Sequence, residues 1–419
     1  MTRSRILTLD EVIDPTDATV RAEIDGAGQV IDAHFDLSGL PRVDPLLIGH
    51  PVREVPRLVE RLCGICPAAH HLAGMRALDA LYGLRPSPQA DAVRRVVHYA
   101  SILESFAPRL LPRDPASAVA LRRLARTALG AAGSPGHFPA TAAPGGVRTG
   151  LDDALRREAR ALTAPALAAL TSLREEGTLP PFAGIDVALV DDRGEPDLFG
   201  VAARLCVAAD PVVADLTPAQ WTAAVAESRP GASAPRPFIV ALGPKRGRYR
   251  VGPVAQLRIG PLTTPLAAAA QKWWLATSGG AGAARGVIAL HALEMLDATL
   301  ARTDLEQIEV RAEPVHAPPL GATGTGWVDS SRGLLVHSYT VGPGGLVATA
   351  QITTPTAQNE PWLSGLLRGA LRDADPGDAA VRARLEDAIR AADPCLPCSS
   401  VPPGTMALDV VISATDRTD

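Results

Sequence analysis

Two Cys-x-x-Cys pairs, Cys63/Cys66 and Cys395/Cys398, stand near opposite ends of the chain, so a fold that uses them together must bring both ends to one point. In RLCGICPAAHH the first pair closes a tight loop opened by Gly64, and Pro67 starts a helix directly behind it. His70 follows Cys66 by four residues. If the helix begins at Cys66, its imidazole stands one turn on, on the same face, where it can hydrogen-bond a thiolate. In DPCLPCSS, Pro394 and Pro397 stiffen an irregular loop after a helix, and rigid loops suit fixed ligands. Four thiolates can form a tetrahedral structural zinc site, hold an iron–sulfur cluster, or hold a softer metal such as nickel. Spacing alone does not choose among them, although zinc ribbons usually close over far fewer residues than separate Cys66 from Cys395. Five cysteines, an odd number, do not make a disulfide framework, and Cys206 in VAARLCVAA reads as a small core hydrophobe.

The rest of the composition narrows the function classes. At 419 residues the chain exceeds a usual single core of roughly 250–300 residues, so it holds two domains or one large elaborated one. With 47% hydrophobic and 21% charged residues and a net charge of -4, it is an ordinary globular chain. No basic block points to nucleic acid. Apolar runs are broken by charges well short of the roughly 20 residues a bilayer span needs, and MTRSRILTLDEVIDP lacks the apolar stretch of a signal peptide. The expectation is a soluble, cytoplasmic protein without a membrane span, with the reservation that a subunit can be exported on a partner's signal.

Periodicity predicts a β-hairpin over 18–37, helices over 67–82, 89–111, 151–177, 264–303 and 376–391, and a strand in MALDVVISA near the end. The stretch 130–150 reads as a long Gly/Pro loop, and 308–352 as short β segments with Gly turns. Between 180 and 260, strands such as DVALVDD mix with a helix entered through DLTPAQW. The predicted architecture is α+β, a central helical bundle with small peripheral β-sheets. Its divisions are an N-terminal β segment (1–60), a helical core with the first cysteine pair (61–178), an α/β insertion (179–262), and helices and β segments with the second pair (263–419). His34, His71, His98 and His291 read as core or surface histidines.

RLCGICPAAH and DPCLPC together closely resemble the two cysteine signatures of nickel–iron hydrogenase large subunits, in the same order and at the same ends. HPVREVP (50–56), PGGV (144–147), YRVGP (249–253), SRGLLVH (331–337) and TPTAQNE (354–360) resemble further family segments in family order. The resemblance covers most of the chain, weakly over 155–240, and is sharpest to the cytoplasmic bidirectional type that exchanges electrons with a nicotinamide-linked partner. It implies that Cys63 and Cys395 are terminal nickel ligands, and that Cys66 and Cys398 bridge nickel to an iron carrying CO and cyanide. It implies reversible heterolytic cleavage of H2, the proton being taken by Cys395 or by the guanidine of Arg332. Asp393 would pair with Arg332 and orient it, and His70 and Arg332 would face the cofactor. The chain has no ferredoxin-like cysteine run, so electrons would leave through an iron–sulfur small subunit, with a diaphorase module as a further partner.

Several positions depart from that pattern. The family's proton-passing glutamate segment falls near residues 13–17, which read IDPTD, and Pro15 takes the glutamate's place; the exit would then use Asp14, Asp17 or water. Val401 stands where the family has a histidine that binds a buried magnesium and marks a maturation cleavage, which leaves Asp44 as the implied magnesium carboxylate. Pro402 and the tail after it resemble an unprocessed precursor, so the subunit is expected to be matured without trimming or to be a precursor. Ser331 replaces the proline before Arg332. The competing readings are a non-catalytic scaffold homologue in an electron-transfer complex, against which four intact cysteines argue, and a zinc-stabilised protein of unknown role.

Overall fold

In the computed structural model of the chain, the structure describes residues 17–38, 43–172, 177–207, 214–277, 279–305, 308, 316–372 and 378–414. Helix α1 (Val55–Leu62) runs up to the first cysteine pair and α2 (Pro67–Tyr82) leaves it. Pro67 sits in the first turn of α2, where its missing N–H costs nothing, and Gly83 ends the helix in the left-handed conformation at φ 64°. Next come α3 (Pro88–Phe106), whose N-cap Ser87 accepts from the Ala90 amide, and α4 (Pro115–Ala131), whose N-cap Asp114 accepts from the Ser117 amide. Then follow α5 (Asp153–Ser172) and α6 (Pro218–Ala224), the latter opened by a capping box of Thr217 and Gln220. The last are α7 (Pro265–Thr277), α8 (Ala281–Leu300), α9 (Glu360–Leu371) and α10 (Ala379–Ala392). Helix α8 is predominantly apolar and largely buried because it lies among α3, α5 and α7 at the centre of the bundle.

The strands gather in small sheets around that bundle. Strands β1 (Asp17–Ile24) and β2 (Val30–Phe35) form the expected hairpin. Strands β3 (Ile185–Val190), β4 (Ala202–Val207), β5 (Ala214–Leu216) and β6 (Tyr249–Arg250) form a sheet in the order β6-β3-β4-β5. Its side chains share a separate apolar cluster with Trp221 and Trp327. Cys206 in β4 is buried against Ala188, Val190 and Ile259, as a core cysteine. Strands β7 (Thr323–Ser330), β8 (Gly333–Val341) and β9 (Val347–Thr353) form an antiparallel meander. The last strand, β10 (Ala407–Ala414), lies parallel to β1, so the two ends of the chain meet in one sheet. The architecture is α+β with helices at the centre.

Two sequence expectations change. The 264–303 helix is two helices, because a Cβ at Gly279 would lie 2.4 Å from the Trp274 ring and the chain turns there. Gly324 and Gly326 are not turn residues but lie inside β7, where α2 rests on the strand. A Cβ on Gly326 would fall 2.1 Å from the Ala77 amide nitrogen and 2.5 Å from the Ala73 carbonyl, and one on Gly324 would fall 2.3 Å from the Ala77 carbonyl. Glycine inside a strand here marks another backbone's close approach. Gly326→Ala is therefore expected to lower the urea midpoint, at a cost of about 1–3 kcal/mol or more. Gly365→Ala, in open space on α9, should be neutral or stabilising by about 0.5–1 kcal/mol. Equal shifts for the two variants would contradict the helix-on-strand contact.

Candidate metal centre

The first cysteine loop is a hinge between two helices. Cys63 is the C-cap residue of α1, and Cys66 is the N-cap residue of α2, its carbonyl accepting from the Ala69 and His70 amides. His137 reaches over the loop, its Nε2 lying 2.9 Å from the Gly64 carbonyl oxygen. Cys395 arrives from the other end of the chain. Helix α10 stops at Asp393 in the left-handed conformation (φ 50°, ψ 59°), and the Cys395 amide donates to Thr356 Oγ1 at 2.7 Å. The Cys63 and Cys66 sulfurs are 3.1 Å apart, those of Cys66 and Cys395 are 3.5 Å apart, and all three lie within 4.8 Å of one another. Cys398 does not join this group. It is buried in the turn Pro397–Ser400 that follows.

Three thiols in contact cannot all ionise cheaply. The neighbouring Cys395 and Cys66 thiols, with His70 beside them, hold Cys63 far below the ordinary thiol range. Cys66 is pushed well up by its hydrogen bonds to Cys395 and Cys63 and by burial. Cys395 is pushed up to about 12, first by the neighbouring Cys63. The trio thus favours one thiolate and two protons, and a cation is what would let all three sulfurs ionise. Soft sulfur donors suit nickel, zinc or iron and do not suit magnesium or calcium. The residues fit the metal class that the first signature implies.

Beside the sulfurs lies a buried charge cluster. Arg332 sits on the two-residue tip joining β7 to β8, held inward because the turn packs against another: a Cβ on Gly252 (φ 96°) would lie 2.6 Å from the Arg332 carbonyl. Arg332 is 7% exposed. Its Nε lies 3.6 Å from Asp393 Oδ2 and has no hydrogen-bond partner, and its Nη1 is 3.5 Å from Ser105 Oγ. The expected pair is therefore an ion pair without a hydrogen bond. Asp393 is engaged more closely by Arg109, at 2.5 Å, and also by Arg285, at 3.4 Å, while Ser399 Oγ donates to its Oδ1. Burial alone would raise the Asp393 carboxyl, but Arg332, Arg109 and Arg285 together hold it well below the usual carboxylate range. Arg109 and Arg285 were not legible in the sequence, since nothing local in APRLLPR or AARGV marks a partner on α10.

The other predicted site residues fall as follows. His70, 4% exposed, neighbours Cys63 rather than Cys66, and its Nδ1 lies 2.9 Å from His337 Nε2. Asp44 opens the short helix Asp44–Leu47, its Oδ1 accepting from the Ile352 amide at 2.8 Å, and it is not part of the cysteine group. The Val401 carbonyl accepts from Arg390 Nη2. Asp14 and Pro15 lie outside the described residues. The family-like segments converge behind the centre: Asn359 Oδ1 accepts from the Val251 amide, and Gln358 Nε2 donates to the Leu334 carbonyl. PGGV is pinned where the Gly145 amide meets Asp79, itself paired with Arg94. His71 turns away to Glu60, at 3.0 Å. A cleft of about 1370 Å³, lined by Cys66, Ser105, Arg109, His137, Arg332 and Val401 among others, opens from the sulfurs to the surface. Among the described residues no helix is long and apolar enough to cross a membrane.

Comparison with known proteins agrees with this geometry. The nickel-dependent hydrogenase family matches residues 43–107, which span α1, α2 and the first cysteine pair. One polypeptide of the F420-non-reducing hydrogenase of Methanothermobacter thermautotrophicus is 27% identical over 433 residues, covering 91% of this chain and 92% of its own. The beta chain of the NAD-reducing hydrogenase HoxS of Cupriavidus necator is 26% identical over 473 residues, covering 96% of each. A crystal structure of an NAD+-reducing [NiFe]-hydrogenase in the H2-reduced state superposes with a TM-score of 0.75 at 28% identity, covering 90% of this chain and 95% of that one. Over nine-tenths or more of its length the chain is thus similar to nickel-dependent hydrogenase subunits.

Proposed function

We propose that this subunit carries a nickel–iron centre and catalyses the reversible heterolytic cleavage of H2. The observation that carries the reading is the meeting of Cys63, Cys66 and Cys395, from opposite ends of the chain, beside the buried Arg332 and Asp393. Cys63 and Cys395 would be terminal nickel ligands. Cys66 would bridge nickel to iron, and Cys398 would join it as the second bridge through a shift of its turn. Once bound, nickel and an iron with CO and cyanide supply the Lewis acidity that polarises H2. Of the two implied proton acceptors, the guanidine of Arg332 is the less suited. Burial alone would lower its pKa, but Asp393 and the three sulfurs raise it above its ordinary value. Cys395 Sγ is the better proton acceptor. Arg109, Arg285 and Arg332 gather around Asp393, a cationic setting that suits a centre made anionic by thiolate and cyanide.

Electrons would leave to an iron–sulfur small subunit docked over the cleft mouth, where Ile65 and Leu111 are exposed. A diaphorase module and a cytoplasmic location are proposed by analogy with the NAD-reducing relative. A non-catalytic scaffold has no use for three converged thiols. The test is D2/H+ exchange by the complex purified from a maturation-competent host. Cys63→Ser and Cys395→Ser are expected to fall to background while Cys206→Ala, in the remote core, keeps wild-type exchange; activity surviving in Cys395→Ser would overturn the reading. Asp393→Asn leaves three guanidiniums without their carboxylate and is expected to cost about 3–5 kcal/mol of stability, read as a lower urea midpoint at pH 7. An unchanged midpoint would show that the cluster is not electrostatically coupled.

A further inference from the structure

Strand β8 carries a pair of buried polar side chains that the proposed reaction does not use. His337 and Tyr339, two residues apart, point to the same face and both have 0% exposure. Their cross-strand neighbours on β7 are Gly326 and Gly324, the glycines that let α2 lie against the sheet. With no side chain on those glycines, the two rings extend along α2 toward His70. The Tyr339 hydroxyl lies 2.5 Å from His337 Nδ1, and His337 Nε2 lies 2.9 Å from His70 Nδ1. Gly74, one turn beyond His70, makes room for the hydroxyl: a Cβ there would come within 3.2 Å of it.

The direction of this chain of hydrogen bonds follows from its far end. Burial pushes the Tyr339 phenol well up, so it keeps its proton, and among the described residues His337 Nδ1 is the hydrogen-bond partner of its hydroxyl. Burial also holds His337 neutral. A neutral imidazole that accepts at Nδ1 carries its hydrogen on Nε2, so His337 donates to His70 Nδ1. His70 in turn carries its hydrogen on Nε2, the ring nitrogen not engaged by His337, and one turn after the Cys63–Cys66 loop this donor is available to the neighbouring Cys63 sulfur. We infer that Tyr339 and His337 are positioning residues: they fix the tautomer and orientation of His70 so that one hydrogen bond is always donated to the Cys63 thiolate. The inference rests on Cys63 being a metal ligand, and it adds a control on the electron density of that sulfur, the role that outer-shell partners of metal ligands play elsewhere.

The test uses the purified complex and reads nickel content, the infrared bands of metal-bound CO and cyanide, and D2/H+ exchange. Tyr339→Phe removes only the hydroxyl. It is expected to keep nickel, displace the infrared bands from their wild-type positions and lower exchange about 10-fold or more. His337→Gln places an amide N–H2 where Nε2–H stood and should stay near wild type. His337→Leu offers no donor and should shift the bands or lose nickel. The Gln/Leu contrast keeps the inference testable if Tyr339→Phe does not fold. Superimposable bands in every nickel-loaded variant, or His337→Gln and His337→Leu behaving alike, would overturn it. Absence of nickel and of these bands from the wild type would instead remove the hydrogenase reading on which it rests.

Discussion

Helix α2 lies so close to strand β7 that nothing larger than a hydrogen atom fits on Gly324 or Gly326, and the site depends on that contact. It sets the height of α2 over the sheet. With the helix at that height, Cys66 at its N-terminus and Cys63 just before it are held at the end of the β7–β8 hairpin, whose tip carries Arg332. The same contact lets His70 on the helix reach His337 on the neighbouring strand. Close-packed backbones deform little, so the ligand loop inherits its rigidity from the helix and sheet behind it rather than from its own short span.

The second cysteine loop is fixed differently, by charge and by backbone hydrogen bonds. Asp393 ends α10 in a left-handed conformation and draws three arginines from separate parts of the chain: α8, the segment after α3, and the β7–β8 turn. A carboxylate held by three guanidiniums is costly to move in a buried setting. Arg285 also donates to the carbonyls of Arg390 and Ala391, so the same residue satisfies the end of α10 and neutralises Asp393. Thr356 then fixes the Cys395 amide. Beyond the cysteines the chain is tied back as strand β10 beside β1, with Met406 and Leu408 buried in the main core.

Much of this was readable in the sequence because it rests on local signals. The helix over 67–82 announces itself with Pro67 and ends at a glycine, and the 18–37 hairpin and the last strand follow from alternation. The two cysteine pairs named the centre, and the structure brings three of their four sulfurs together. What escaped was tertiary. The strand glycines at 324 and 326 look like turn residues until a helix is seen resting on them. Arg109, Arg285 and the reach of His337 to His70 carry no local pattern, since their partners lie far away in sequence. The pairing of Arg332 with Asp393 was legible as a need for a counter-ion, but not as an ion pair that leaves Nε unsatisfied. The structure ties Asp44 to the Ile352 amide and the Val401 carbonyl to Arg390.

The most direct measurement is elemental analysis for nickel and iron, with an infrared spectrum, on the complex purified from a host that can mature such enzymes. Near-stoichiometric nickel with bands of metal-bound CO and cyanide is the expected result, because converged, half-buried thiols beside a cationic cluster suit that centre. Zinc alone, or no metal at all, in a folded complex would contradict it.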